Sequence, residues 1–157
     1  FSRYLNELGI ETIDADDIVH SLIPAAERRH LADIVFKDRD ARRELERRIH
    51  PQVLERLSRE TGKVAVIPLL FEAGWEKNYD LVACLTSSRE NQIRRMAENR
   101  GMSVADAEAR IDAQMPVAEK AARADYVIVN DGTAEELRST AADFIKWLKD
   151  KEQQHGR

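Results

Sequence analysis

One cysteine in 157 residues leaves no partner for a disulfide and no second thiolate for a zinc or CxxC redox site within this sequence. That cysteine, Cys84, lies in an apolar stretch, and the reading favours a reducing, cytoplasmic setting. Long apolar runs are lacking as well. The longest, Val64 to Phe71, is eight residues and contains Pro68, whereas a bilayer-crossing helix needs roughly 20; the expectation is a soluble protein. No charged-then-apolar leader follows Phe1, so no signal peptide is visible. Nor is there an excess of positive charge: 25 Lys and Arg face 29 Asp and Glu, and a net charge of -4 does not favour a nucleic-acid backbone as partner. Any anion site must be local. The Arg-rich stretch Arg39 to Arg48 is interleaved with acids and reads as a solvated helix. Histidines at ligand spacing are missing too. His50 precedes Pro51 and suits a structural or substrate-orienting role, while His20, His30 and His155 read as surface residues.

What is present is an alternation of helix and strand signals. Phe1, Tyr4, Leu5 and Leu8 recur at helical spacing and Gly9 follows as a stop. Ile10, Thr12 and Ile13 are β-prone and lead into Asp14-Ala15-Asp16-Asp17, after which Ile18, Val19 and Leu22 predict a helix. Ala25 to about Glu60 is charged and helical in pattern, and His50-Pro51 predicts a break into two helices, because proline disfavours α conformation in the residue before it. Val64 to Phe71 reads as a central parallel strand, covered on both faces and ending at Glu72. Leu81 to Leu85 is a further strand, Ser88 caps a helix, and Ser103 with Asp106 opens another through Met115. Pro116 restarts the chain. Tyr126 to Val129 is the last strand, and Thr133 with Glu136 caps a closing helix to about Lys149. The alternation predicts one compact unit, a parallel sheet with helices on both faces. Ligands of such sheets bind at the carboxyl ends of the strands, where Asp16, Glu72, the turn before Ser88 and Asn130 all fall.

A carboxylate beyond a strand end can take a proton from a hydroxyl or hold magnesium, and strand alternation would point Asp14 and Asp16 the same way. Capping of the next helix by Asp16 or Asp17 is an equal alternative. Arg94, Arg95, Arg100 and Arg110 suit a cover over polyphosphate, since guanidinium groups hold phosphate oxygens bidentately; a solvated helix face would look the same. Phe71, Trp75 and Tyr79 flank the Glu72 turn as pocket walls or as core, and Trp147 reads as core.

In chain order, Leu8-Gly9-Ile10, Ile13-Asp14-Ala15-Asp16, Ile49-His50-Pro51 and Val66-Ile67-Pro68-Leu69-Leu70-Phe71-Glu72 resemble the dephospho-coenzyme A kinase family. So do Gln92-Ile93-Arg94-Arg95-Met96, Arg100, Ala113-Gln114, Ala124-Asp125-Tyr126-Val127-Ile128 and Asn130-Asp131-Gly132. The resemblance implies a three-layer α/β domain of P-loop NTPase type over residues 1–157, with a core at 1–23 and 61–150, a helical acceptor-side region at about 25–60 and a lid at about 97–120. It also implies ATP with Mg2+ as donor and the 3'-hydroxyl of dephospho-coenzyme A as acceptor. The protein would be monomeric or weakly homo-oligomeric, with neither nucleic-acid nor membrane partners. By the same resemblance Asp16 is the base near the acceptor hydroxyl, Arg95 the cation on the ATP phosphates, and Arg100 and Arg110 belong to the lid. Asn130 and Gly132 would line the adenine side, and Asp14, His50, Leu70, Phe71 and Glu72 the acceptor side.

Two departures stand out. The family's G-x-x-x-x-G-K-[ST] loop has no match: the glycines fall at 9, 62, 74, 101, 132 and 156, and Gly62-Lys63 is followed by Val64. The loop is expected ahead of Phe1, its hydroxyl serving as the main Mg2+ ligand with Asp14 as a further candidate. The interval from Asp16 to His50 is also shorter than the family's, which places a second gap near Pro24-Ala25. A related small-metabolite or nucleoside kinase, and a non-catalytic adaptor that has lost its loop, remain open as alternatives.

Overall fold

The computed structural model describes residues 1–23 and 39–154. The expectations for His30, for His155 and for the stretch from Pro24 to residue 38 lie outside these. The chain divides into two compact units, one made of Ser2 and Tyr4–Pro68, the other of Phe1, Arg3 and the residues from Leu69 onward.

In the first unit, α1 (Ser2–Glu7) stops where Gly9 takes φ +87°, a left-handed value open to glycine without steric cost. The Ile10 N–H closes that turn on the Leu5 carbonyl at 2.9 Å. Asn6 then ties α1 to β1 (Thr12–Asp14), its Oδ1 accepting from the Thr12 N–H at 3.0 Å. β1 pairs in parallel with β2 (Val64–Val66), Ile13 opposite Ala65. Helix α2 (Ala15–Leu22) follows β1 directly and packs against α3 (Arg39–Arg59). Ile18 on α2 and the stripe Ile49, Val53 and Leu57 on α3 are buried there.

α3 runs unbroken through Pro51, where two helices were expected. Proline removes one backbone donor and crowds the preceding turn. Two features offset that. The buried stripe at i, i+4, i+8 continues across Pro51, and the Gln52 side chain donates to the Arg48 carbonyl at 2.9 Å, adding a donor beside the interruption. The run Val64 to Phe71 is corrected as well. It is a strand only to Val66 and is half-buried rather than covered on both faces. Pro68 offers no ladder donor. The chain then turns, with the Ala73 N–H on the Leu69 carbonyl at 3.0 Å and Gly74 at φ +69°.

In the second unit a short 3-10 turn (Glu76–Asn78) precedes β3 (Ala83–Thr86), which pairs in parallel with β4 (Tyr126–Val129), Cys84 opposite Val127. Asp125 starts this pair: its Oδ2 accepts from the Val82 N–H and its own N–H donates to the Val82 carbonyl, both at 2.8 Å. Between the strands lie α4 (Arg89–Arg100), α5 (Val104–Asp112) and α6 (Val117–Arg123), and α7 (Ala134–Gln154) follows β4. The expected caps form: Ser88 Oγ accepts from the Asn91 N–H and Ser103 Oγ from the Asp106 N–H, while Thr133 and Glu136 bond reciprocally. α6 covers β3 and α7 covers β4. Under α7, Tyr126 meets Phe144 and Trp147 at 5.5 and 4.8 Å between ring centroids, and Phe1 meets Phe144 edge-on at 5.9 Å. Cys84 is buried, which pushes its thiol pKa up.

Candidate functional site

Parallel strands bring their carboxyl ends side by side, and at the ends of β3 and β4 a polar cluster forms within the second unit. Asp131 Oδ1 accepts from the Ser88 N–H at 2.7 Å and from Ser87 Oγ and Asn91 Nδ2 at 2.9 Å each. These bonds, led by Asn91, hold the Asp131 carboxyl down at about 2. Arg95, on α4, donates through Nη1 to the Asn130 carbonyl at 2.8 Å and to Ser87 Oγ at 3.3 Å. The structure thus brings together two residues that the sequence singled out, Arg95 and Asn130, with Gly132 two positions on. Any side chain at Gly132 would collide with the Glu136 carboxylate, which serves the Thr133 cap.

Arg100 and Arg110 lie exposed in the last turns of α4 and α5, and neither makes an ion pair or hydrogen bond with a described residue. Those two helices are joined where Arg89, at the start of α4, grips Asp112, at the end of α5, through both carboxylate oxygens at 2.7 and 3.2 Å.

Glu72 stands six residues past the end of β2, in the turn after Pro68, rather than at a strand end. Its Oε1 accepts from Lys120 Nζ at 2.7 Å and from the Met115 N–H at 3.0 Å. Burial works to raise its carboxyl pKa, but the Lys120 and backbone hydrogen bonds prevail and hold it below the usual glutamate value. One helical turn along α6, Arg123 pairs with Glu76 and lays its guanidinium over the buried Phe71 ring, 4.7 Å from the centroid. Leu70 is half-buried in the same turn, its carbonyl accepting from the Trp75 N–H.

In the first unit Asp14 accepts the Asp16 N–H at 2.8 Å and so caps α2, a role the sequence had offered to Asp16 or Asp17. Asp16 belongs to the first turn of α2, so strand alternation does not carry from Asp14 to it. Its carboxylate is exposed and has no hydrogen-bond partner among the described residues. His50 is half-buried on α3 and borders a cleft of about 590 Å³ with Asp40, Arg43, Glu46 and Arg47. Among the described residues no three His, Cys, Asp or Glu side chains converge as metal ligands, so the donors described do not build a magnesium site by themselves.

Sequence reasoning missed Ser87, Asn91 and Lys120. The pattern of Glu72 and Glu76 answering Lys120 and Arg123 was visible, but it acquires meaning only once α6 is known to lie on that turn.

Parallel strand pairs flanked by helices make this an α/β protein, and its likeness to solved structures gives it the P-loop NTPase fold. A Thermus thermophilus protein superposes with a TM-score of 0.73 at 32% identity, covering 92% of this chain and 88% of its own. A dephospho-CoA kinase from Campylobacter jejuni superposes at 0.67 and 24% identity, covering 95% and 90%, and supports the fold.

The chain belongs to the dephospho-CoA kinase family, whose model matches residues 25–136. It is 38% identical to a dephospho-CoA kinase of Geobacter sulfurreducens over 179 positions, covering 94% of this chain and 90% of that protein. It is 34% identical to one of Geobacillus kaustophilus, covering 92% and 88%. The 179 aligned positions exceed the 157 residues of this chain, so the Geobacter relative carries residues without a counterpart here.

Proposed function

We propose that the protein transfers the γ-phosphoryl group of ATP to the 3'-hydroxyl of dephospho-coenzyme A, giving ADP and coenzyme A, the last step of coenzyme A biosynthesis. The observation that carries this reading is the alignment over 94% of the chain with a relative of that name at 38% identity.

In such a transfer the acceptor oxygen bonds to the γ-phosphorus as the bond to the β–γ bridging oxygen breaks, and the hydroxyl proton passes to a base. Catalysis rests on alignment and on neutralising charge. Asp16 is the base in this reading, supported by a carboxylate left unengaged among the described residues. Arg95 meets the phosphates, supported by its place at the ends of β3 and β4. Arg100 and Arg110 close as part of a lid at about 97–120, supported by their exposed, unengaged guanidinium groups. Asn130 and Gly132 line the adenine side. Asp14, His50, Leu70, Phe71 and Glu72 serve the acceptor side, with Asp14 acting through the cap it supplies to α2. Magnesium enters with the nucleotide, as the substrate Mg-ATP.

Residues 1–157 then form one kinase domain, with its core at 1–23 and 61–150 and a helical acceptor-side region at about 25–60. It works in the cytoplasm as a monomer or weak homo-oligomer, without nucleic-acid or membrane partners. No described helix is long and apolar enough to cross a membrane.

Release of ADP by the intact protein, followed with dephospho-coenzyme A and with nucleosides as acceptors, tests the reading. The expected result is a kcat/KM for dephospho-coenzyme A at least about 10²-fold above that for nucleosides. Absence of turnover with dephospho-coenzyme A would overturn it.

A further inference from the structure

We infer that Asp131 is a positioning residue for Arg95, acting through the Ser87 hydroxyl to hold the guanidinium at the paired ends of β3 and β4. The inference rests on the reading that Arg95 meets the ATP phosphates. Ser87 is the link. A hydroxyl has one proton to give and lone pairs to receive with. The proton of Ser87 goes to Asp131 Oδ1 at 2.9 Å, which turns a lone pair toward Arg95 Nη1 at 3.3 Å. The same Oδ1 also takes the Ser88 N–H and Asn91 Nδ2, so one oxygen fixes both the turn after β3 and the first turn of α4.

Arg95 follows Asn91 by four residues and therefore rises from the same helix face. Its other tether, the Asn130 carbonyl at 2.8 Å, is the residue next to Asp131. Both tethers use Nη1. A guanidinium has five N–H donors in a fixed fork, so those on Nε and Nη2 stay open to an incoming phosphate. A cation held in place before the nucleotide arrives loses less conformational freedom on binding. The effect of Asp131 is thus on ATP and not on the acceptor.

Steady-state kinetics of the intact enzyme, varying each substrate in turn, test this in a cycle of wild type, Asp131→Ala, Arg95→Ala and the double variant. Asp131→Ala should raise KM for ATP about tenfold, the scale of one hydrogen bond to a charged group. KM for dephospho-coenzyme A should stay within about twofold, and in the Arg95→Ala background the Asp131 change should shift KM for ATP by less than about twofold. Asp131→Asn keeps an acceptor oxygen and should recover most of the loss. An undiminished Asp131 effect in the Arg95→Ala background would overturn the inference, because the carboxylate would then act on the turn alone. If Asp131→Ala does not fold, Ser87→Ala cuts the same link and leaves Asp131 bonded to Ser88 and Asn91. Additivity of Ser87→Ala with Arg95→Ala is then the refuting result. Should the wild type show no turnover with dephospho-coenzyme A, the functional reading falls by itself, and equilibrium titration of the same variants with ATP still decides the role of Asp131. An Arg95→Ala variant with unchanged ATP affinity removes the assignment of Arg95 to the phosphates and, with it, the role of Asp131.

Discussion

Replacing Glu72 by glutamine should loosen α6 from the turn that follows Pro68, and the geometry sets the size of the effect. Glu72 Oε1 accepts from both Lys120 Nζ and the Met115 N–H, and the two charged side chains are 23% and 13% exposed. Exposed ion pairs contribute under about 1 kcal/mol, whereas breaking a fully buried one costs about 3–5 kcal/mol. A pair this far shielded, discounted for the solvent that still reaches Glu72, should couple by about 1.5 kcal/mol. For a chain of this length that is a fall in Tm of about 3–6 °C.

Urea denaturation of wild type, Glu72→Gln, Lys120→Met and the double variant isolates the coupling. The pH dependence has a fixed sign. The folded-state pKa of Glu72 is lowered from the ordinary 4.5, so its stabilising contribution is complete above that value and is lost as pH falls through the lowered one. Coupling should therefore be complete at about pH 7 and diminish as pH falls below the ordinary glutamate value and through the lowered one. A coupling below about 0.5 kcal/mol at neutral pH, or one indifferent to acid, would refute the argument. The same variants separate structure from recognition. If Glu72 also touches the acceptor, Glu72→Gln raises KM for dephospho-coenzyme A, and Lys120→Met, which keeps the carboxylate, raises it less.

Three further outcomes are expected. Asp16→Asn should cut kcat by about 10²-fold, the usual scale for a positioned base. Its Tm should not move, because the cap of α2 is Asp14; an unchanged kcat would end the assignment of Asp16 as base. Asp14→Ala removes that cap and should cost about 1 kcal/mol in denaturant unfolding, so a neutral result would show that the Asp14–Asp16 bond contributes nothing. Asp131, held at about 2 by Asn91 and the Ser88 amide, contributes stability that is complete above the ordinary 3.8 and lost as pH falls through about 2. A carboxyl NMR titration should give that low midpoint and show it rising in Asn91→Ala; a wild-type midpoint near 3.8 would refute the cluster.

The elements legible in the sequence were those fixed by local chemistry. Ser88, Ser103 and the Thr133–Glu136 box cap helices where the spacing placed them, and Gly9 ends the first helix at a positive φ. β4 has the residues expected of it, and its parallel pairing with β3 follows from the alternation. Misreadings arose where tertiary contacts override a local rule. Pro51 should break a helix, yet the buried stripe of Ile49, Val53 and Leu57 carries α3 past it. The run Val64 to Phe71 is apolar throughout, yet hydrophobicity alone does not distinguish a strand from a strand followed by a turn, and Phe71 is buried under Arg123 instead. In the site, the residue types at the ends of β3 and β4 were visible as a motif. The hydrogen bonds from Ser87 and Asn91 to Asp131 were not, because they join positions some forty residues apart.

The parallel pairing also sets the order of events as the chain emerges from the ribosome. Thr12 lies opposite Val64, and Ala83 opposite Tyr126. Neither strand can find its partner by a local hairpin, and at about 5–20 residues per second β1 waits several seconds for β2 to be made. Closing a loop of that length costs about 3.5 kcal/mol in chain entropy before any ladder bond repays it. Helices α2 and α3, which lie between the two strands and pack on each other, can form in the interval, while β1 waits for its partner. The waiting strand is short and ends in Asp14, a charge that discourages pairing with a neighbouring chain until β2 arrives.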